Sequence, residues 1–226
     1  MAVAVAGVVV GMAAEAACLT GLGDAVRVVR SGARPDLARA GAEALAAGGA
    51  SVLVSFGIAG ALVSGLAPGH LLLPEAVALP GGGSIAVDRR WRETALARLG
   101  EVNGGRLAGS DLPVTSAAAK AALARATGAV AVDMESHVVA AVARARGLPF
   151  LVLRAVADPA ERGIPAPALA GLGPDGETRP WAVALRLLAA PWTLPALLRL
   201  ARDSEAGLAA LGAAVARLGP GAFLAG

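Results

Sequence analysis

The chain has 226 residues, 56% hydrophobic and 16% charged, with no Tyr, three Phe and three Trp; that length suits one α/β domain with a sizeable core. Its pI of about 10.3 reflects arginine used in place of lysine, because the net charge is only +3 and the arginines are scattered, which argues against a nucleic-acid partner. Cys18 stands alone, excluding an intrachain disulfide framework and suggesting a reducing, cytoplasmic setting, and His70 and His137 belong to no ligand-spaced metal motif.

Met1 to Ala14 is almost wholly apolar, and Ala16-Ala17-Cys18 faintly imitates a lipoprotein cleavage site. The first basic residue is Arg27 and Glu15 interrupts the run, so a buried first strand over Val3 to Val10 is expected, closed by Gly11. Ala25 to Val29 reads as a second strand, and Pro35 to Ala47 as a helix ended by Gly48-Gly49. Ser51 to Phe56 reads as a third strand running into a turn, Gly57-Ile58-Ala59-Gly60. Short strands and a loop are expected between Gly69 and Val87. Then follow a helix over Arg89 to Leu99, a strand over Arg106 to Ala108 and an Ala-rich helix over Ser116 to Ala126. Ala129 to Val132 reads as a strand leading into a helix from about Met134 to Arg146, and Phe150 to Val156 as the last strong strand. A Pro-rich loop from Pro159 to Pro174, with Gly171 to Gly176 as a candidate mobile segment, precedes helices over about Arg179 to Ala190 and Leu194 to Leu218. Strands alternating with helices predict a single three-layer α/β/α domain over residues 1–226, with a mixed, mostly parallel central sheet.

Three of the 17 acidic residues fall where apolar strands end: Glu15, Glu135 and Asp158. Loops beyond the carboxyl ends of strands converge on the ligand crevice of open α/β sheets. One acid after a strand is often a helix cap or a solvated loop residue; three such positions form a candidate site.

Several motifs surround those acids. Val132-Asp133-Met134-Glu135-Ser136-His137 opens a helix, and Gly147-Leu148-Pro149-Phe150 begins a strand ending in Arg154-Ala155-Val156-Ala157-Asp158. Upstream lie Gly11-Met12-Ala13-Ala14-Glu15, then Ser55-Phe56-Gly57-Ile58-Ala59-Gly60-Ala61-Leu62 followed by Pro68-Gly69-His70. In order and spacing this set resembles the nucleoside phosphorylase and methylthioadenosine/S-adenosylhomocysteine nucleosidase superfamily, over roughly residues 3 to 160. Ser55-Phe56-Gly57, Met134-Glu135-Ser136-His137, Asp158-Pro159 and the tail Leu194 to Ser204 are similar to its hopanoid-associated phosphorylase group. That resemblance implies release of adenine from a 5′-modified adenosine, adenosylhopane in the group's case, and a homo-oligomer.

The resemblance also assigns roles. Breaking a purine nucleoside bond builds positive charge on the ribose and negative charge on the departing base, so protonating the purine at N7 assists departure. Asp158 matches the family's catalytic acid. Glu135 matches the carboxylate that holds the sugar hydroxyls, with Met134 packed against the sugar, and such a grip strengthens as the ribosyl cation forms. Glu15 matches the base that orients and deprotonates water. Gly57, Ile58 and Ala59 correspond to the glycine-rich ribosyl loop, and Val114 to the segment that reads the purine.

Departures from the family pattern are specific. Ile58 stands where phosphorylases often carry a hydroxyl that helps hold phosphate, and their arginine-glycine-threonine segment is missing. Hydrolysis is therefore favoured, with phosphate kept as an alternative co-substrate and no other cofactor expected; Arg27 or Arg30 is as readily a surface residue as a phosphate ligand. Pro113 replaces a stacking aromatic, and Ala157 replaces a serine that would tune Asp158. Asp111 reads better as a turn cap than as a site residue. A methylthioadenosine/S-adenosylhomocysteine nucleosidase is the alternative activity, and a non-catalytic nucleoside-binding protein the alternative of another class. Trp181 to Leu200 fits either helices packed on the sheet, the favoured reading, or peripheral contact with a membrane carrying a lipid-linked substrate.

Overall fold

A computed structural model describes residues 4–100, 102–170, 180–219 and 221–224. Val3, the segment Gly171 to Gly176 and Arg179 lie outside them, as does the side chain of Trp181. Strand β1 (Ala6–Val10) is buried along its whole length, as its unbroken apolar run requires when both faces are covered. It pairs in parallel with β2 (Val26–Arg30) on one side and with β3 (Val52–Ala61) on the other. Between β1 and β2 the chain makes a five-residue helix, α1 (Ala13–Ala17), and a 3₁₀ turn over Thr20–Ala25. Neither was legible in the Ala- and Gly-rich sequence there.

Helix α2 (Pro35–Ala47) has the expected bounds, with proline in its first turn and Gly48 as its C-cap. Arg27 spends its guanidinium on that end, Nη1 donating to the Gly48 carbonyl at 2.6 Å. Three short strands follow, β4 (Leu71–Leu72), β5 (Ala76–Ala78) and β6 (Ser84–Ala86), then α3 (Arg89–Leu99), β7 (Arg106–Gly109) and α4 (Ala117–Thr127). Ser116 caps α4 by accepting from the Ala119 amide, and Gly128 ends it in the left-handed region at φ 66°. Strand β8 (Ala131–Asp133) leads to α5 (Ser136–Arg146), which begins two residues later than the sequence suggested, leaving Met134 and Glu135 in the connection. Strand β9 (Phe150–Asp158), the short helix α6 (Ala166–Ala170), α7 (Pro180–Ala189) and the long α8 (Leu194–Leu218) complete the chain. Helix α6 occupies part of the stretch expected to be loop.

One expectation fails in an instructive way. Gly57 to Gly60 is not a turn but the second half of β3, which pairs in parallel with β9 from Leu53↔Phe150 through Gly57↔Arg154 to Gly60↔Asp158. An irregularity between Ala59 and Gly60 shifts the register by one residue of β9. Glycine ordinarily weakens a strand; here the ladder along β9 overrides that tendency.

Five strand pairings are parallel and three antiparallel among the described residues, giving the expected mixed, mostly parallel sheet. Helices α2 and α5 pack together on one face, contributing Ala38, Ala42, Val139 and Val142 to the larger core. On the other face α3 and α8 enclose Phe56, Trp91, Leu211 and Val215 with the C-terminal Phe223, whose ring stacks on Trp91. Helix α8 meets the sheet at Gly207, where an added Cβ would lie 3.1 Å from the Val156 carbonyl oxygen and 3.1 Å from Ile58 Cγ2. The stretch before it departs from the favoured expectation of core packing. Leu185, Leu188, Trp192, Leu194 and Leu198 are exposed, because the close approach that buries α8 begins only at its second half.

Candidate active site

Glu15, in the first turn after β1, is 2% exposed. Its Oε2 accepts from the amides of Gly11 at 2.7 Å and Met12 at 2.9 Å, and its Oε1 from the amide of Ile58 at 2.8 Å. Burial pushes its pKa above the ordinary carboxylate range, while Arg154 and the amides of Ile58, Met12 and Gly11 pull it back. Two glycines make room for it. A Cβ on Gly57 would sit 2.5 Å from the Glu15 carboxyl carbon and 2.6 Å from Arg154 Nη1, and a Cβ on Gly11 would sit 2.9 Å from Glu135 Oε1 and 3.3 Å from Glu15 Oε2.

Arg154 lies mid-strand in β9 with no exposure, where a charge must be paired to be tolerated. Its Nη2 reaches Asp133 Oδ2 at 2.6 Å, Glu135 Oε2 at 3.3 Å and Ser55 Oγ at 2.6 Å. Ser136 fastens Asp133 twice, its amide donating to Oδ1 at 3.1 Å and its hydroxyl to Oδ2. Arg154 Nε finds no partner among the described residues. Asp133, Glu135 and Glu15 therefore surround one guanidinium, an excess of negative charge. The pKa of Glu135 is raised to about 7, chiefly by desolvation, with Arg154 opposing the rise and Asp133 and Glu15 adding to it.

Asp158 ends β9, opposite Gly60, whose added Cβ would lie 3.4 Å from its Oδ2. That position is three residues along β3 from the Gly57–Arg154 pair, roughly 10 Å at strand spacing. Lys120, on α4 and fully buried, pairs with Asp158 Oδ2 at 2.5 Å. Desolvation raises the pKa of Asp158, and Lys120 and Arg162 oppose the rise. The carboxyl opens on a cavity of about 320 Å³ whose lining includes Arg162, Gly163, Ala196, Arg199 and Asp203.

The structure thus brings Glu15 and Glu135 together beside Gly11, with Glu15 in contact with Gly57 and Ile58. Asp158 is on the same strand as their shared arginine but lines a cavity whose walls include neither of them. Met134 is half-buried beside Glu135, and Ala59 is buried in β3. Val114 packs against the small cluster of Leu62, Ala108, Ala129 and Val132, and the neighbouring Thr115 carbonyl accepts from the Ile164 amide at 2.9 Å. That bond joins the proposed purine segment to the loop after Asp158. Among the described residues Asp111 caps no turn: Ser110 makes the local turn with Leu112, and Asp111 Oδ1 lies 3.0 Å from His137 Nε2. Among the described residues no group of His, Cys, Asp or Glu is arranged to hold a metal.

Sequence reasoning gave no role to Arg154, Asp133 or Lys120. A signal for Arg154 was present, since an arginine inside an otherwise apolar strand must find buried acids. For Lys120 it was weaker, a single lysine in an arginine-rich chain.

Comparison with known proteins agrees with this architecture. The family model described as the phosphorylase superfamily matches residues 16–179, more than half of the chain. Futalosine hydrolase of Helicobacter pylori is similar in structure at a TM-score of 0.74 and 17% identity, over 96% of this chain and 97% of that one. The 5′-methylthioadenosine/S-adenosylhomocysteine nucleosidase of Neisseria meningitidis, in complex with methylthio-immucillin-A, gives 0.72 and 19% over 95% and 97%. The corresponding Helicobacter pylori nucleosidase with butyl-thio-DADMe-Immucillin-A gives 0.70 and 18% over 96% and 100%. A search of curated proteins finds no match. With its fold shared across nearly the full length of these enzymes and the family model covering its glycine-rich strand, Met-Glu pair and final acid, the chain belongs to the phosphorylase superfamily.

Proposed function

We propose that this protein cleaves the N-glycosidic bond of a 5′-modified adenosine and releases adenine. The observation that carries the reading is the charge excess at Arg154, where Glu15, Asp133 and Glu135 share one guanidinium in a buried setting. Such a site favours a ligand that becomes cationic, as ribose does when its purine leaves. Glu135 holds the sugar hydroxyls, Met134 packs against the ring, and Asp158 protonates the purine at N7 while Val114 borders the base. The electron pair of the C1′–N9 bond departs with the base.

Water is the preferred acceptor. Glu15 is held by three amide donors beside Ile58, which fixes a carboxylate that can take a proton from an attacking water. Ile58 offers phosphate an apolar side chain. Phosphorolysis is the second acceptor reading, and the two differ in product: free sugar against sugar phosphate.

Adenosylhopane is the substrate the hopanoid-group resemblance implies. Helix α8 lines the Asp158 cavity with Ala196, Arg199 and Leu200 while it exposes Leu194 and Leu198, so a lipid tail leaving that cavity would meet apolar surface. Peripheral membrane contact of a cytoplasmic homo-oligomer accompanies this reading. No described helix is long and apolar enough to cross a membrane. A methylthioadenosine/S-adenosylhomocysteine nucleosidase is the second substrate reading, favoured by the likeness to structures bearing that name. Purified protein incubated with a panel of adenosine derivatives, lipid-linked adenosine included, with and without phosphate, tests all of this by mass analysis of the sugar product. Absence of free adenine from every member of the panel overturns the proposal.

A further inference from the structure

We infer that Lys120 is a positioning residue for Asp158: it orients the acid and stabilises the carboxylate left when the proton has passed to the purine. This rests on the glycosidic-cleavage reading above. An ammonium has three hydrogens, and Lys120 has three acceptors: Asp158 Oδ2 at 2.5 Å, the Pro159 carbonyl at 2.7 Å and the Arg162 carbonyl at 2.9 Å. The last two belong to the loop that leaves β9 and walls the cavity. One nitrogen, itself fully buried on α4, therefore ties the acid to its own loop.

A brace for that loop would need only two hydrogens, and a neutral amide could supply them. The third contact falls on the reacting carboxyl, and the side chain carries a full charge whose burial is costly without a partner. By engaging Oδ2, the lysine assigns proton delivery to Oδ1. When Asp158 gives its proton to N7, the base leaves with the glycosidic electron pair and the new carboxylate forms beside an ammonium already in place. The other charges near Asp158 are less direct. Arg162 pairs with Asp203 of α8 at 2.8 Å, and Arg199 and Glu161 lie on the cavity wall.

The test is the pH dependence of kcat/KM for adenine release, with thermal melting in parallel. As a general acid, Asp158 acts protonated, so activity falls as pH rises through its pKa. Lys120 lowers that pKa; Lys120→Met should move the alkaline limb to higher pH and cut kcat by about 10²-fold or more. Lys120→Arg keeps the charge and should leave the limb near its wild-type position. Lys120→Gln retains hydrogens for the two carbonyls without the charge, and should move the limb as Lys120→Met does. A folded neutral variant with an unmoved limb, or with full activity, overturns the inference, as does failure of both neutral variants to fold, which would make Lys120 a structural brace. An inactive wild type sinks the glycosidic-cleavage reading and this inference with it, whereas an active wild type with an unmoved limb sinks this inference alone.

Discussion

The Ile58 amide donates to Glu15 Oε1 at 2.8 Å across 43 residues of chain, so one carboxylate joins the first turn after β1 to the middle of β3. Glu15→Gln puts an amide NH₂ where at least one backbone N–H now donates, leaving a buried donor unsatisfied. The expected cost is about 1–3 kcal/mol of stability. Turnover should fall by about 10²–10⁴-fold, read by adenine release alongside chemical denaturation. Retained turnover would favour a role in holding the fold alone.

Arg154→Met should be more damaging. Removing the guanidinium leaves Asp133, Glu135 and Glu15 buried without their countercharge, a change worth about 3–5 kcal/mol. Protonation relieves that repulsion, so this variant should be more stable at acidic pH than at neutral pH, checked by melting temperature across a pH series.

Glu135 gives a pH signature of its own. Its folded-state pKa of about 7 lies above the ordinary value of 4.5, so the folded protein binds the proton more tightly than the unfolded chain. The stability this contributes is fully present below pH 4.5 and is lost as pH rises through about 7. Glu135→Gln should flatten that part of the stability–pH curve relative to wild type. Glu15 and Asp158, also raised, contribute with the same sign, so the difference between the two curves is the quantity to measure.

Gly57→Ala and Gly60→Ala separate two kinds of glycine. Gly57 has φ 151°, and a Cβ there collides with Glu15 and Arg154; at Gly60 the nearest atom, Asp158 Oδ2, is at 3.4 Å. Gly57→Ala should lose about 1–3 kcal/mol together with activity. Gly60→Ala should be milder in stability, as urea midpoints would show.

Leu188 and Trp192 are 81% and 76% exposed, so changing both to Glu should leave the melting temperature within the range of ordinary surface substitutions. If this surface contacts lipid, the double variant should lose sedimentation with vesicles that wild type retains. Equal behaviour of the two proteins would remove the membrane contact.

Punctuated elements were the most legible ones. Proline and glycine bracket Pro35–Ala47, and Arg89–Leu99 and Leu194–Leu218 also have the expected bounds. The same punctuation misled at Gly57 to Gly60, because a glycine that admits a neighbouring carboxylate looks in sequence like one that breaks a strand. Glu15 and Glu135 meet because β1 and β8 pair with β3 in opposite senses, parallel and antiparallel, so that both strands run toward its middle; strand endings in the sequence carry no such directions. Their arginine went unassigned, since periodicity says which face a residue occupies and not which distant partner it finds. Lys120 and Asp158 lie on elements separated by a strand and a helix, and local spacing carries no trace of their contact.

Strand β9 carries both the guanidinium that gathers the sugar-side acids and, four residues on, the acid assigned to the base. Under the proposed chemistry, a hydrogen-bonded backbone works as a ruler laid along the nucleoside. Its divisions cannot stretch, so a nucleoside of the wrong span would be refused by the sheet itself. What the ruler leaves unmeasured is the 5′ end, and there evolution could exchange substrates by rebuilding loops and helices without disturbing the scale.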